Sequence, residues 1–257
     1  MSVGSYSQLL WHQIRHNNRL FWRTPAAAFF TLIFPMVLLV LFNVIFGEQS
    51  WGGYEFVQFF APAMAVFAAV SSSFTNLAIG VSFAREQGIL KRVRGTPLPA
   101  WVYMAGRICS GVWMAILSVS IMFAIGWAFF GFQMIWSNFG LAVLVFVVGV
   151  GTFSALGMAV CATVKNAESS PAVANAVYLP MAFISGIFIP LDDAPDWMLI
   201  LGDVFPLKHF VGPFGEAFNP FYEGEVLGWE HLGVMCLWLA LGMVIVTRYF
   251  SWDAKGK

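Results

Sequence analysis

Apolar residues gather in six long stretches, at about 26–46, 56–83, 100–130, 139–164, 171–190 and 232–250. Each approaches or exceeds the roughly 20 residues an α-helix needs to cross a hydrocarbon core of about 30 Å. No charged residue occurs between Ala26 and Gly47, or between Ile108 and Lys165. Alternation with period two is absent, so barrel strands are not expected. In lipid every backbone amide must find its partner within the segment, which makes these stretches helices. The second and third are longer than a crossing requires and should tilt or extend into water. The first has no Ala-x-Ala site behind it and five further stretches follow, so it reads as a span, not a cleaved leader.

The segments between the spans carry their own periodicity. In Tyr6–Arg23, Leu10, Ile14 and Phe21 approximate one helical face, while Arg15, Arg19 and Arg23 form a basic stripe at four-residue spacing. This predicts an amphipathic helix over 6–23 in the cytoplasmic interface, with Trp11 and Trp22 suited to the headgroup zone. A solvated positive flank that only fixes topology is the alternative. The link from Phe83 to Pro99 has five charged residues among 17. Ile89, Leu90 and Val93 recur there at helical spacing until Gly95 and Pro97 stop the pattern. The apolar ridge of such a helix lies on headgroups or docks in a groove of another protein. From 191 to 229, Trp197, Ile200, Leu201, Val204 and Phe205 form a stripe among aspartates, and Pro206 opens a second partly apolar piece. Two short helices dipping back into the outer leaflet fit this pattern, as does a helix lying flat on the outer surface.

Composition agrees with this reading. The chain of 257 residues is 60% hydrophobic and 10% charged, where soluble domains run near 45–50% and about 25%. A soluble enzyme, a disordered chain and a nucleic-acid-binding protein are thereby excluded. Net charge is zero, yet the distribution is lopsided. With both termini on one side, that side holds 12 of the 13 Lys and Arg residues, all except Lys208. The positive-inside rule makes that side cytoplasmic. The expected protein is a single six-span domain, 1–257, in a cell membrane. Cys109, Cys161 and Cys236 fall in apolar runs without disulfide or metal spacing.

Polar atoms inside the spans cluster. Ser71, Ser72, Ser73, Thr75 and Asn76 sit together in the second, and Gly151, Ala155, Ala159 and Thr163 form a small-residue column in the fourth. Such residues serve helix packing, or Ser72 and Asn76 face a cavity. Arg107 is shallow enough in the third span to snorkel to the cytoplasmic interface. No phosphate loop and no His-Glu-x-x-His occurs. No carboxylate sits mid-span, so a proton- or sodium-coupled carrier has no evident coupling group. A membrane protein with no internal energy source and a charged cytoplasmic helix suggests a subunit worked by a partner.

The basic N-terminal helix, the six spans, the link Ala84-Arg-Glu-Gln-Gly-Ile-Leu-Lys-Arg-Val-Arg-Gly-Thr-Pro-Leu-Pro and the late block Ser185-Gly-Ile-Phe-Ile-Pro-Leu … Pro195-Asp-Trp … Phe205-Pro-Leu-Lys-His together resemble the type-2 ATP-binding-cassette exporter permeases, especially the drug-exporter branch. The resemblance covers nearly the whole chain. It implies that residues 84–97 form a coupling helix on a separate cytosolic ATPase, with Arg85, Glu86, Gly88, Leu90, Lys91, Arg92, Thr96 and Pro97 at the contact. It implies two permeases, identical or paralogous, with two ATPases. No cofactor is expected in this chain, since ATP and Mg belong to the ATPase. Ser72, Asn76, Asn175 and Ser185 would line the path, and Trp197, Phe205 and Pro206 an outer gate in the re-entrant segment 191–229. Amphipathic or lipophilic cargo suits spans rich in aromatics and hydroxyls without mid-span charge. The competing readings are an exporter of polysaccharide or lipid-linked glycan, a six-span membrane enzyme and a partner-free carrier.

Overall fold

In a computed structural model of the chain, residues 3–47, 50–51, 54–96, 98–188, 191, 194–220 and 228–252 are described. Among them the architecture is helical. Helix α1 (Val3–Trp22) is followed by α2 (Pro25–Phe46) and a two-residue antiparallel ladder, β1 (Ser50–Trp51) with β2 (Tyr54–Glu55). Then come α3 (Phe56–Glu86), the short α4 (Ile89–Arg94), α5 (Ala100–Phe130), α6 (Phe139–Thr163), α7 (Ser170–Ile184), α8 (Asp196–Val204), α9 (Pro206–Glu216) and α10 (Trp229–Tyr249).

Among the described residues five helices are long and apolar enough to cross a membrane: α2, α3, α5, α6 and α10. The fifth apolar stretch departs from the expected 171–190. Its helix, α7, has 15 residues and is therefore about 22 Å long. It ends because Gly186 takes φ +82, a left-handed conformation that stops α-helix propagation. Hydropathy continues past that point through Ile187 and Phe188, which is why an apolar count overshoots.

Helix α3 is the hub. Nearly every residue from Phe56 to Phe74 is buried, and α3 packs on α2, α5, α6, α7 and α9. Its serine cluster lies in a π-helical turn, Ser71–Thr75. The wider turn disturbs the carbonyl ladder, and the Ser72 and Ser73 hydroxyls both donate back to the Ala69 carbonyl at 2.8 Å. A second π-turn, Phe29–Ile33 in α2, packs against the first. Helix α6 offers one side to α10, with Gly242 seated on Ala155, and another to α3, with Gly157 against the Phe74 backbone. Of its expected small-residue column, Ala155 and Ala159 are buried, while Gly151 faces open space.

Helix α1 is laid lengthwise along the first half of α5. Tyr6 stacks near Trp101, Gln13 covers Gly106, Asn18 accepts a hydrogen bond from Ser110 at 2.6 Å, and Phe21 packs with Met114. Only the absence of a Cβ at Gly106 allows this approach, since one would lie 2.5 Å from Gln13 Cβ.

Candidate functional site

The link after α3 is built around one arginine and one glutamate that both turn toward the protein. Arg85 is 2% exposed. Its Nη1 donates to the Cys161 carbonyl at 2.8 Å and its Nη2 to the Val164 carbonyl. These carbonyls lie at the C-terminal end of α6, where helical carbonyls need partners from outside the helix. Glu86 accepts from the Ala167 amide at 2.6 Å, at the start of the short 3-10 turn that leads into α7. Adjacent residues thus tie the end of α3 to both sides of the α6–α7 connection.

Gly88 then reverses the chain with φ +68. Space is open around it, so the requirement for glycine is conformational. The turn sets α4 so that Leu90 is fully buried with Leu77, Val81, Tyr103, Met158 and Cys161. Ile89 and Val93 lie half-buried beside it, and Phe250 and Trp252 from beyond α10 join the same cluster. The opposite side presents Lys91, Arg92, Arg94 and Thr96 to solvent. Thr96 closes the helix by donating to the Val93 carbonyl at 2.7 Å, and Arg92 donates to the Gln87 carbonyl at 3.2 Å. Of the eight coupling residues read from the sequence, Lys91, Arg92 and Thr96 point outward and Glu86 is exposed while bonded. Arg85 and Leu90 point inward, and Pro97 lies outside the described residues. Arg107 sits beside this end, with Nε donating to the Tyr103 hydroxyl at 3.2 Å and its guanidinium against the same ring.

The residues read as a pathway are dispersed. Ser72 and Ser185 are buried and donate to carbonyls of their own helical turns, Ala69 and Ala182. Ser72 also reaches toward Gly111 of α5. Asn76 is half-buried, and Asn175 stands exposed on α7. Around Asn175, α7 exposes Val173, Val177, Leu179 and Phe183.

At the other end of the bundle, α9 is inserted among α3, α6 and α10. Its Phe210 and Phe214 join Phe123, Phe132, Phe153 and Phe218 in an aromatic cluster. Gly149 makes room, since a Cβ there would lie 2.6 Å from the Phe210 ring. Of the gate residues, Pro206 is buried at the first position of α9, and Phe205 stacks on Trp238 at 6.0 Å. Trp197, on α8, is exposed.

Two polar devices at this end escape sequence reasoning. Buried Gln58 donates to the Phe218 and Gln133 carbonyls and accepts from the Gln133 amide at 2.9 Å, joining α3, the α5–α6 loop and the end of α9. His209 and His231 approach Nδ1 to Nδ1 at 2.7 Å, and His209 Nε2 lies 2.8 Å from the Asp203 carbonyl. A carbonyl can only accept, so His209 donates from Nε2; in the neutral pair its Nδ1 then accepts from His231 Nδ1–H. A glutamine in an apolar run and two histidines 22 residues apart give no local periodic signal.

Residues 8–217 match the ABC-2 type transporter family. The chain belongs to that family. The match spans α1 to the end of α9, hence both ends just described. Among relatives of this ABC-2 permease, YvfS of Bacillus subtilis, named a transport permease, is 24% identical over 220 residues, 84% of this chain and 86% of its own. The inner membrane transport permease YadH of Escherichia coli is 23% identical over 194 residues, 73% of this chain and 75% of its own. The daunorubicin resistance ABC transporter permease protein DrrB1 of Streptomyces coeruleorubidus is 23% identical over 219 residues, 84% and 74% respectively. The protein is a multi-pass membrane transport permease.

Proposed function

We propose that this ABC-2 permease is the membrane subunit of an ATP-driven exporter and that α4 is where a separate cytosolic ATPase pushes. The observation that carries this is the two-sided construction of α4. Its basic outer face is available to a partner, while Leu90 roots it in a cluster made by α3, α5 and α6. A displacement of α4 is transmitted at once to α3 through Gly88, and to α6 and α7 through Arg85 and Glu86. That is the lever alternating access requires: closing the ATPase dimer moves the coupling helices and reweights the cavity between inward and outward states.

In this reading α7 is the sixth crossing element, completed by the residues after Ile184, and both termini are cytoplasmic. Two permeases face each other across the exposed side of α7, with Asn175 and Asn76 as the pathway residues. The α8–α9 pair is the outer re-entrant gate. The cargo is amphipathic or lipophilic, in keeping with the apolar exposed face of α7 and with the drug-resistance role in the name of the relative DrrB1. Mild-detergent purification from the native host tests the assignment. A cytosolic chain with a phosphate loop should co-purify with the wild type and be lost with Gly88→Pro, which cannot adopt φ +68, while membrane insertion persists. A permease that purifies alone and transports without ATP would overturn the reading.

A further inference from the structure

Beside the contact of α1 with α5 lies a cleft of about 960 Å³. One wall is Cys109, Val112, Trp113 and Ile116 of α5, at the i, i+3, i+4, i+7 spacing of a continuous helix face. The other wall is α1 and the residue after it, which contribute the flank of Trp11 and Trp22 and the basic stripe of Arg15, Arg19 and Arg23. Trp11, Trp22 and Trp113 are each more than half exposed. The apolar part of the cleft runs along two turns of α5, about 10 Å.

Its position across the membrane follows from helix lengths. Helix α2 begins two residues after Arg23 and has 22 residues, or about 33 Å, which matches the hydrocarbon thickness. Arg23 therefore stands at one hydrocarbon boundary. Helix α5, at 31 residues, is about 46 Å long, and α1 lies along its first half, from Trp101 to Met114. With Asn18 on Ser110 and Phe21 against Met114, the Cys109–Ile116 face lies level with Asn18–Arg23, on the headgroup side of that boundary, and opens toward the hydrocarbon at its Ile116 end. The first 47 residues contain no Asp or Glu, and none of these three arginines is in an ion pair among the described residues.

We propose that this cleft is a binding site for an anionic glycerophospholipid. The phosphate and acidic headgroup lie on Arg15, Arg19 and Arg23, and one acyl chain lies against Val112, Trp113 and Ile116. A zwitterionic lipid fills the same apolar wall but brings a cation against the arginines, so the site discriminates by headgroup. Three unneutralised guanidinium groups fixed at phosphate level beside an open apolar channel are complementary to a lipid with both parts. The assignment is independent of cargo, of transport direction and of any ATPase.

The test uses the full chain in nanodiscs of phosphatidylcholine and phosphatidylglycerol with matched acyl chains, followed by gentle delipidation and native mass spectrometry of retained lipid. Phosphatidylglycerol should be retained preferentially. The R15Q/R19Q/R23Q variant should lose that preference by roughly fivefold per arginine, and R15K/R19K/R23K should keep most of it. Cys109→Trp, which fills the apolar wall and leaves the charges, should reduce retention of both lipids alike. Equal retention of the two headgroups by the wild type would overturn the proposal. So would loss of preference in the lysine and glutamine variants alike, which would mark a structural role for the arginines. So too would a protein subunit cross-linking efficiently to a cysteine placed at Arg19, since the cleft would then be a protein interface.

Discussion

At the α4 end of the bundle, charged side chains reach backbone atoms: Arg85 caps carbonyls at the end of α6, and Glu86 holds the amide of Ala167. At the α9 end the corresponding closure is a stack of phenylalanine rings, with Gln58 and the His209–His231 pair as its polar members. The first arrangement is a set of directional links between three helices with a charged face left outside. The second is an apolar plug, held by shape. Directional links transmit a displacement, because a guanidinium on two carbonyls must move with them. An aromatic plug resists small displacements and yields only by unseating a ring.

The largest effect on the α4 end should come from Arg85→Ala. It takes the buried donor from the Cys161 and Val164 carbonyls and empties the volume of a buried side chain. Hydrogen bonds from a charged donor contribute about 1.5–3 kcal/mol each, so a loss of about 3 kcal/mol is expected, read as the thermal midpoint of the purified permease. An unchanged midpoint would mean that the α6–α7 connection is held by something else. The matching test of the α9 end is Gly149→Ala, whose methyl collides with the fully buried Phe210 ring. Overpacking of this kind costs about 1–3 kcal/mol. Gly151→Ala, two residues along the same helix but facing open space, should be neutral. Equal effects at 149 and 151 would remove the argument that α9 is seated by shape.

Most of the helices are legible in the chain because hydrophobic runs of twenty residues have few other solutions. The end of α7 is not, since the handedness of Gly186 leaves no trace in hydropathy. Arg85 reads as a surface charge in a charged link, and nothing nearby in sequence shows that its acceptors lie 76 and 79 residues away. Leu90, by contrast, is recognisable as the inward ridge of a short amphipathic helix, and Lys91 and Arg92 as its outer face. Ser72 was legible as part of a polar cluster, but the π-turn that gives its hydroxyl a local acceptor was not. Local periodicity thus marks which side of α4 is apolar, whereas residue roles set by distant backbone atoms stay hidden until the helices are assembled.

A smaller effect is expected from the imidazole pair, and it belongs to the α9 end alone. The 2.7 Å contact ties α9 to α10 through one imidazole–imidazole hydrogen bond. Its magnitude is about 1 kcal/mol. His231→Phe keeps a ring at the position and removes the partner nitrogen, so it should lower the melting midpoint of the purified permease by a corresponding amount. An unchanged midpoint would show that the pair does not hold α10 to α9.

The smallest effect on the fold should follow from Lys91→Glu with Arg92→Glu, and it separates the two ends most sharply. Both side chains are exposed, and only Arg92 makes a local hydrogen bond, at 3.2 Å. Surface substitutions of this kind usually change stability by less than about 0.5 kcal/mol, so melting and membrane insertion should match the wild type. Reversing two charges on the proposed docking face is a different matter, because charge complementarity with a partner is lost and like charges brought together at an interface cost several kcal/mol. If the proposed ATPase docks there, its binding should fall by at least tenfold, and ATP-dependent transport with it. Loss of transport with an intact fold would place the partner on the outer face of α4. Full transport by the double variant would leave α4 as an internal strut and move the search for the coupling surface to the exposed part of the α6–α7 connection around Lys165 and Glu168.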